Sequence, residues 1–136
     1  MITSDKQYAA AKEQLVMLME SISLPMKKDV PGVIEKAGKA QLQELIAEIQ
    51  LKMDEYDVLK NSKPSDIEIH SLDDLMTAPI RYRIAAHMSV DAFSRKVGVS
   101  ARQIARYELE NYQNTNSSTL RKILEGLNIN LEGKVA

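Results

Sequence analysis

The stretch Met88-Ser89-Val90-Asp91-Ala92-Phe93-Ser94-Arg95-Lys96-Val97-Gly98-Val99-Ser100-Ala101-Arg102-Gln103-Ile104-Ala105-Arg106-Tyr107-Glu108 decides how this chain folds. Ser89 is placed to cap a helix in which Phe93 and Val97 form an inward stripe at i, i+4. Gly98 stands just past that helix, where a left-handed residue lets the chain turn sharply. Val99 points back to the core and Ser100 caps the next helix. In that second helix Ile104 and Tyr107 face inward at i, i+3, which leaves Arg102, Gln103 and Arg106 on the outward surface.

Two short helices joined by a tight Gly turn, the second with an exposed Arg/Gln face, make a helix-turn-helix. Around it the pattern predicts further short helices, about 78–87, 89–97, 101–108 and 118–127, on a shared core. Upstream, Ser71-Leu72-Asp73-Asp74 has the form of a helix start, and Ile67-Glu68-Ile69-His70 alternates as a short extended link or edge strand would. Before the link lie two longer periodic segments. Ser4 with Gln7 reads as a capping box, followed by Tyr8, Ala11, Leu15, Leu18 and Ile22 on one face and a stop near Ser23 with Pro25 beyond. Val30-Pro31-Gly32 marks a connection to a second stripe of Leu42, Leu45, Ile49, Met53, Tyr56 and Leu59, closed by Asn61, Ser62 and Pro64. Neither helix can bury its stripe alone, so the pair is expected to form an antiparallel hairpin. The chain is thus expected to be all-α. A hairpin over 1–63, serving dimerisation or partner binding, is followed by a link over 64–76 and the helix-turn-helix domain over 77–136.

Composition sets the outer bounds. With 44% hydrophobic and 27% charged residues among 136, five Gly and four Pro, the chain is globular rather than disordered or collagenous. No apolar run approaches the roughly 20 residues that span a bilayer. The start shows no secretory signal, and a cytoplasmic protein is expected. There is no Cys, which removes disulfides, thiol catalysis and Cys-based zinc sites. The net charge of −1 hides an asymmetry: residues 1–75 hold nine Lys against fourteen acids, and residues 76–136 hold six Arg and three Lys against five acids. Every Arg lies in the second part, and Arg suits phosphate and guanine edges.

The residues Met88, Ser89, Phe93, Gly98, Val99, Ser100, Ile104, Tyr107 and Glu108 meet the core pattern of the XRE (Cro/CI-type) helix-turn-helix proteins, which the chain resembles from Thr77 to about Leu131. The wider layout resembles HigA-type antitoxins and related small regulators of bacteria and phage. The resemblance implies a five-helix-type Cro/CI domain and a transcriptional repressor bound to a double-stranded DNA operator as a homodimer. In the antitoxin setting it implies a toxin held by the N-terminal helices and repression of the chain's own operon. Ala101–Glu108 would be the recognition helix, with bases read by Ala101, Arg102 and Gln103, and with Arg106 either reading a base or holding a phosphate. Arg can take guanine O6 and N7 together and Gln can take adenine N6 and N7. Ser89, Ser100 and the loop Asn114–Ser118, Ser117 included, would hold the DNA backbone. The chain departs from the family at Val90, where a Gln is usual, and at Ala101, where relatives often carry a polar base-reader. The resemblance also pairs Glu108 with Arg83, as a structural contact.

Other chemistry-bearing residues read as ordinary. Arg95, Lys96, Arg121 and Lys122 are surface basics that also suit phosphate. His70 sits on the link and His87 ends a helix, neither in a ligand pattern. Asp54, Glu55, Asp57, Asp73 and Asp74 are expected to be solvated, the last two favoured by the dipole of the helix they open. Met17, Met19, Met26 and Met53 read as hairpin packing, with a partner-binding face as the sharper alternative. No nucleophile–base motif, phosphate loop or zinc signature is present, so no enzyme, metal or cofactor is expected. The competing reading is a protein-interaction module whose helix-turn-helix does not bind DNA.

Overall fold

A computed structural model describes residues 1–24 and 31–136. Pro25 beyond the expected stop near Ser23, the packing of Met26 and the Val30 end of the connection lie outside the described residues. Six α-helices form, and no strand occurs among the described residues. They are α1 (Asp5–Ser23), α2 (Gly32–Lys60), α3 (Leu72–Ala85), α4 (Val90–Val97), α5 (Ala101–Leu109) and α6 (Ser117–Gly126), with a short 3-10 turn at Pro64–Asp66. The chain divides into two compact units, Met1–Val58 and Leu59–Ala136.

In the first unit, Ser4 Oγ accepts the Gln7 amide at 3.1 Å and so satisfies a donor that the first turn of α1 leaves open. The Gln7 side chain reaches back to the Thr3 amide at 2.9 Å. The expected stripe of α1 is the face that turns inward: Tyr8, Ala11, Leu15, Leu18 and Ile22 are half-buried while their neighbours are exposed. α2 runs antiparallel to it. Tyr8 and Tyr56 rings lie 5.5 Å apart, Tyr56 Oη donates to Asp5 at 2.7 Å, and Tyr8 Oη donates to Asp57 at 2.9 Å. These contacts join the start of α1 to the end of α2. On α2 the buried residues are Ile49, Met53 and Tyr56, extended by half-buried Leu42 and Ile46. Leu45 does not belong to this stripe and is 43% exposed. The spacing 42, 46, 49, 53, 56 alternates fours and threes, the narrow seam of a two-helix coil, and Leu45 falls beside it.

The second unit is built on α3–α6. The link forms without a strand ladder at residues 67–70. Ser71 Oγ then accepts the Asp74 amide at 3.0 Å, and α3 starts at once, six residues before the expected 78. Pro79 therefore lies inside α3, where it withholds one backbone donor and normally breaks a helix. Tertiary burial overrides that preference, because Ala78, Pro79, Ile80, Arg83, Ile84 and Ala85 form the inward face of α3. Near the proline, Thr77 Oγ1 donates to the Asp73 carbonyl at 3.0 Å and Arg81 Nη2 to the Asp74 carbonyl at 2.9 Å. The core is closed by Ile80, Phe93, Ile104, Tyr112 and Ile123, all fully buried, with α4 packed on α5 and α6. Each such side chain contributes about 1.5–3 kcal/mol by leaving water.

Candidate nucleic-acid interface

Local signals set the three helices at this site. Ser89 Oγ accepts the Ala92 amide at 3.1 Å to start α4, Ser100 Oγ accepts the Gln103 amide at 3.3 Å to start α5, and Asn116 Oδ1 accepts the Thr119 amide at 2.8 Å to start α6. α4 ends at Gly98, whose φ of 72° is left-handed and whose amide donates to the Ser94 carbonyl at 2.9 Å. A Cβ at Gly98 would sit 3.2 Å from Lys122 Cε. Lys122 Nζ donates to the Gly98 carbonyl at 2.9 Å, which caps α4 and ties α6 to the turn before α5.

The far end of α5 is held from below. Arg83 Nε and Nη2 each donate to a Glu108 carboxylate oxygen at 2.7 Å, and Nη1 donates to the Met88 carbonyl at 3.1 Å. Side-chain exposure of the pair is 8% and 6%. One guanidinium thus links α3, the α3–α4 turn and the last turn of α5 in a two-pronged ion pair. His87 makes that turn possible, with φ of 55° and its amide on the Ile84 carbonyl at 3.0 Å.

Between these anchors the outward face of α5 is exposed. Arg102, Gln103, Ala105 and Arg106 are exposed and line a shallow groove with Leu109, while Ala101 is half-buried. Arg102 has no hydrogen bond or ion pair among the described residues. Arg106 lies over the Tyr107 ring at 5.3 Å, a cation–π contact that props the guanidinium along the helix. Gln103 is folded back: its Oε1 accepts from Ser100 Oγ at 3.2 Å, which leaves the amide nitrogen as its outward group. Ser89, Ser100 and Ser117 are exposed at the N-termini of α4, α5 and α6, where the dipole favours anions. Arg95 and Arg121 are exposed. Lys96 reaches over the Tyr82 ring at 5.7 Å.

Two features here escaped the sequence reading. Lys122 is engaged by the Gly98 carbonyl, a partner 24 residues away that no local pattern reveals. Leu109 extends α5 one residue past Glu108 and is 82% exposed beside Arg106. Elsewhere, His70 Nε2 lies 2.8 Å from Glu68 and the Glu68 carboxylate raises its pKa, which marks a surface ion pair. No three His, Asp or Glu side chains gather as metal ligands among the described residues.

Residues 80–134 match a family model described as helix-turn-helix. Over those residues the second unit is similar to helix-turn-helix domains of the XRE type. The matched segment runs from α3 past α6, close to the span of the resemblance. The family is one of DNA-binding regulators and not of enzymes. No curated protein and no solved structure matches the chain. No helix among the described residues is long and apolar enough to cross a membrane.

Proposed function

We propose that the protein is a sequence-specific repressor that binds an operator in double-stranded DNA as a two-fold dimer. The observation that carries this is the exposed face of α5, where Arg102, Gln103 and Arg106 reach solvent between two fixed ends. Each α5 enters the major groove of one half-site, and the half-sites lie roughly 34 Å apart, one helical turn. Arg102 reads guanine through O6 and N7. Gln103, with its oxygen on Ser100, presents a donor to a base or phosphate acceptor, and Ala101 offers only its methyl. Arg106 reads a base or holds a phosphate. Ser89 and Ser117 fix register on the backbone through their hydroxyls, and Ser100 through the amides beside it. In its antitoxin form the same protein represses its own operon.

A second reading, a toxin-holding or adaptor module without DNA binding, is favoured by one observation: α1 contains no fully buried residue, so its face is unfinished. Fluorescence anisotropy with the DNA upstream of its own coding sequence, beside a scrambled duplex and across a salt series, separates the two. Preference for the cognate duplex that weakens steeply with salt supports the repressor. Arg102→Ala is expected to cost about 1–3 kcal/mol of that preference. Equal, weak binding of both duplexes refutes it.

A further inference from the structure

We infer that Ser100 is a positioning residue that turns the Gln103 amide so that it selects guanine, not adenine, at its place in the operator. The inference deepens the proposed function and rests on it, since it names the base that one side chain of the same face takes.

Ser100 and Gln103 stand at the start of α5 as Ser4 and Gln7 stand at the start of α1, three residues apart in each case. In both pairs the serine Oγ accepts the glutamine backbone amide, at 3.3 Å in α5 and 3.1 Å in α1. The glutamine side chains then part ways. Gln7 Oε1 takes the amide of Thr3, the residue before its serine, at 2.9 Å. The counterpart of that amide at α5 belongs to Val99, and the turn around Gly98 commits it to the Ser94 carbonyl at 3.2 Å. Gln103 Oε1 settles instead on Ser100 Oγ at 3.2 Å. A hydroxyl has one proton to give, and Ser100 gives it to this oxygen while its lone pair takes the backbone amide. Neither side chain makes a further hydrogen bond among the described residues. The glutamine is therefore held with its oxygen inward and its NH2 group outward.

That orientation changes which base fits. A free glutamine pairs with adenine by accepting from N6 and donating to N7. With its oxygen on Ser100, Gln103 keeps only the donor half of that pairing. Guanine offers two acceptors, O6 and N7, to the two protons of the NH2 group. Adenine offers N7 alone and leaves its N6 donor facing another donor, and cytosine offers only a donor. Gln103 is exposed in the first turn of α5, the part of a recognition helix that meets base edges.

Enrichment of a random-sequence DNA duplex library by the full chain, read by sequencing, tests this. The wild type is expected to enrich a motif, and Gln103→Ala marks the Gln103 position as the one whose preference flattens. Guanine is expected there over adenine by about tenfold. Ser100→Thr keeps a hydroxyl that accepts and donates, and is expected to keep guanine. Ser100→Asp still caps α5 but has no proton to give, so the Gln103 nitrogen turns to the carboxylate and the oxygen turns outward. The position is then expected to move to adenine or cytosine, whose amines donate. Ser100→Ala leaves the glutamine unheld and is expected to bring adenine level with guanine, which decides the matter even where the Asp charge repels the duplex. A role in capping alone predicts guanine in all three serine variants, and that result overturns the inference. Adenine at the position in the wild type overturns it too, as does a Gln103→Ala motif identical to the wild type, which places the amide on a phosphate and leaves the repressor reading standing. A wild type that enriches no motif refutes the repressor reading and this inference with it, so the two failures give different results.

Discussion

Replacing Glu108 by Ala removes the acceptor for two 2.7 Å hydrogen bonds and leaves the Arg83 guanidinium in a site where its side chain is only 8% exposed. Its bond to the Met88 carbonyl at 3.1 Å goes to a neutral acceptor, which offsets little of a full charge. Breaking one half of a buried ion pair costs about 3–5 kcal/mol, far above the ~1 kcal/mol of a surface pair. The unit Leu59–Ala136 has 78 residues and a total stability on the order of 4–12 kcal/mol. Glu108→Ala therefore consumes a large share of it and is expected to lower Tm by roughly 15–30 °C. Thermal and urea unfolding followed by far-UV circular dichroism measures both. Removing the two charges together, by Arg83→Met with Glu108→Leu, is expected to recover most of the loss, because the penalty lies in the stranded charge rather than in a missing attraction. A Glu108→Ala cost below about 1 kcal/mol, or a double variant no better than the single one, would refute the reasoning.

Three further outcomes are expected. Gly98→Ala should cost about 1–2 kcal/mol in urea unfolding, since φ of 72° is unfavourable for any residue with a Cβ; the Lys122 side chain can move aside, and a cost near zero would show that the turn takes another form. Tyr112→Phe should stabilise the domain by about 1 kcal/mol, because the Tyr112 hydroxyl is buried without a hydrogen-bond partner among the described residues, and burial foremost, with the Glu108 charge aiding, drives its pKa upward; a clear loss would reveal a hydrogen bond to that oxygen. Asp74 accepts the His70 amide at 3.0 Å, and that bond foremost, with Arg81 and Ser71 aiding, holds its pKa below the usual 3.8. A lowered folded-state pKa contributes stability above 3.8 that is lost as pH falls through the folded value, so Asp74→Asn should flatten the acid limb of stability against pH, and an unchanged limb would rule the contribution out.

The candidate site was largely legible because its devices are local. Ser89, Ser100 and Gly98 act within three or four residues of themselves, through amides left open at helix ends and a left-handed φ that glycine tolerates. The exposed face of α5 follows from the same periodicity that buries Ile104 and Tyr107. The turn after α5 was less legible. Asn111 and Tyr112 are both left-handed, at φ of 51° and 59°, and only the burial of the Tyr112 ring against Tyr107 at 5.7 Å accounts for a tyrosine there.

What the sequence by itself determined is thus the helical class, the capped starts of α1, α4 and α5, the helix-turn-helix and the split of charge between the two parts of the chain. Each rests on residue type and short spacing, which act whatever the rest of the chain does. Tertiary structure alone decided three matters. α3 runs through Pro79 because its inward face is buried, Lys122 is drawn to the Gly98 carbonyl, and Ile46 takes the place in the seam that Leu45 was expected to fill. In each case two allowed local arrangements differ by little, and the choice falls to contacts between elements, where burial and a distant carbonyl outweigh local preference.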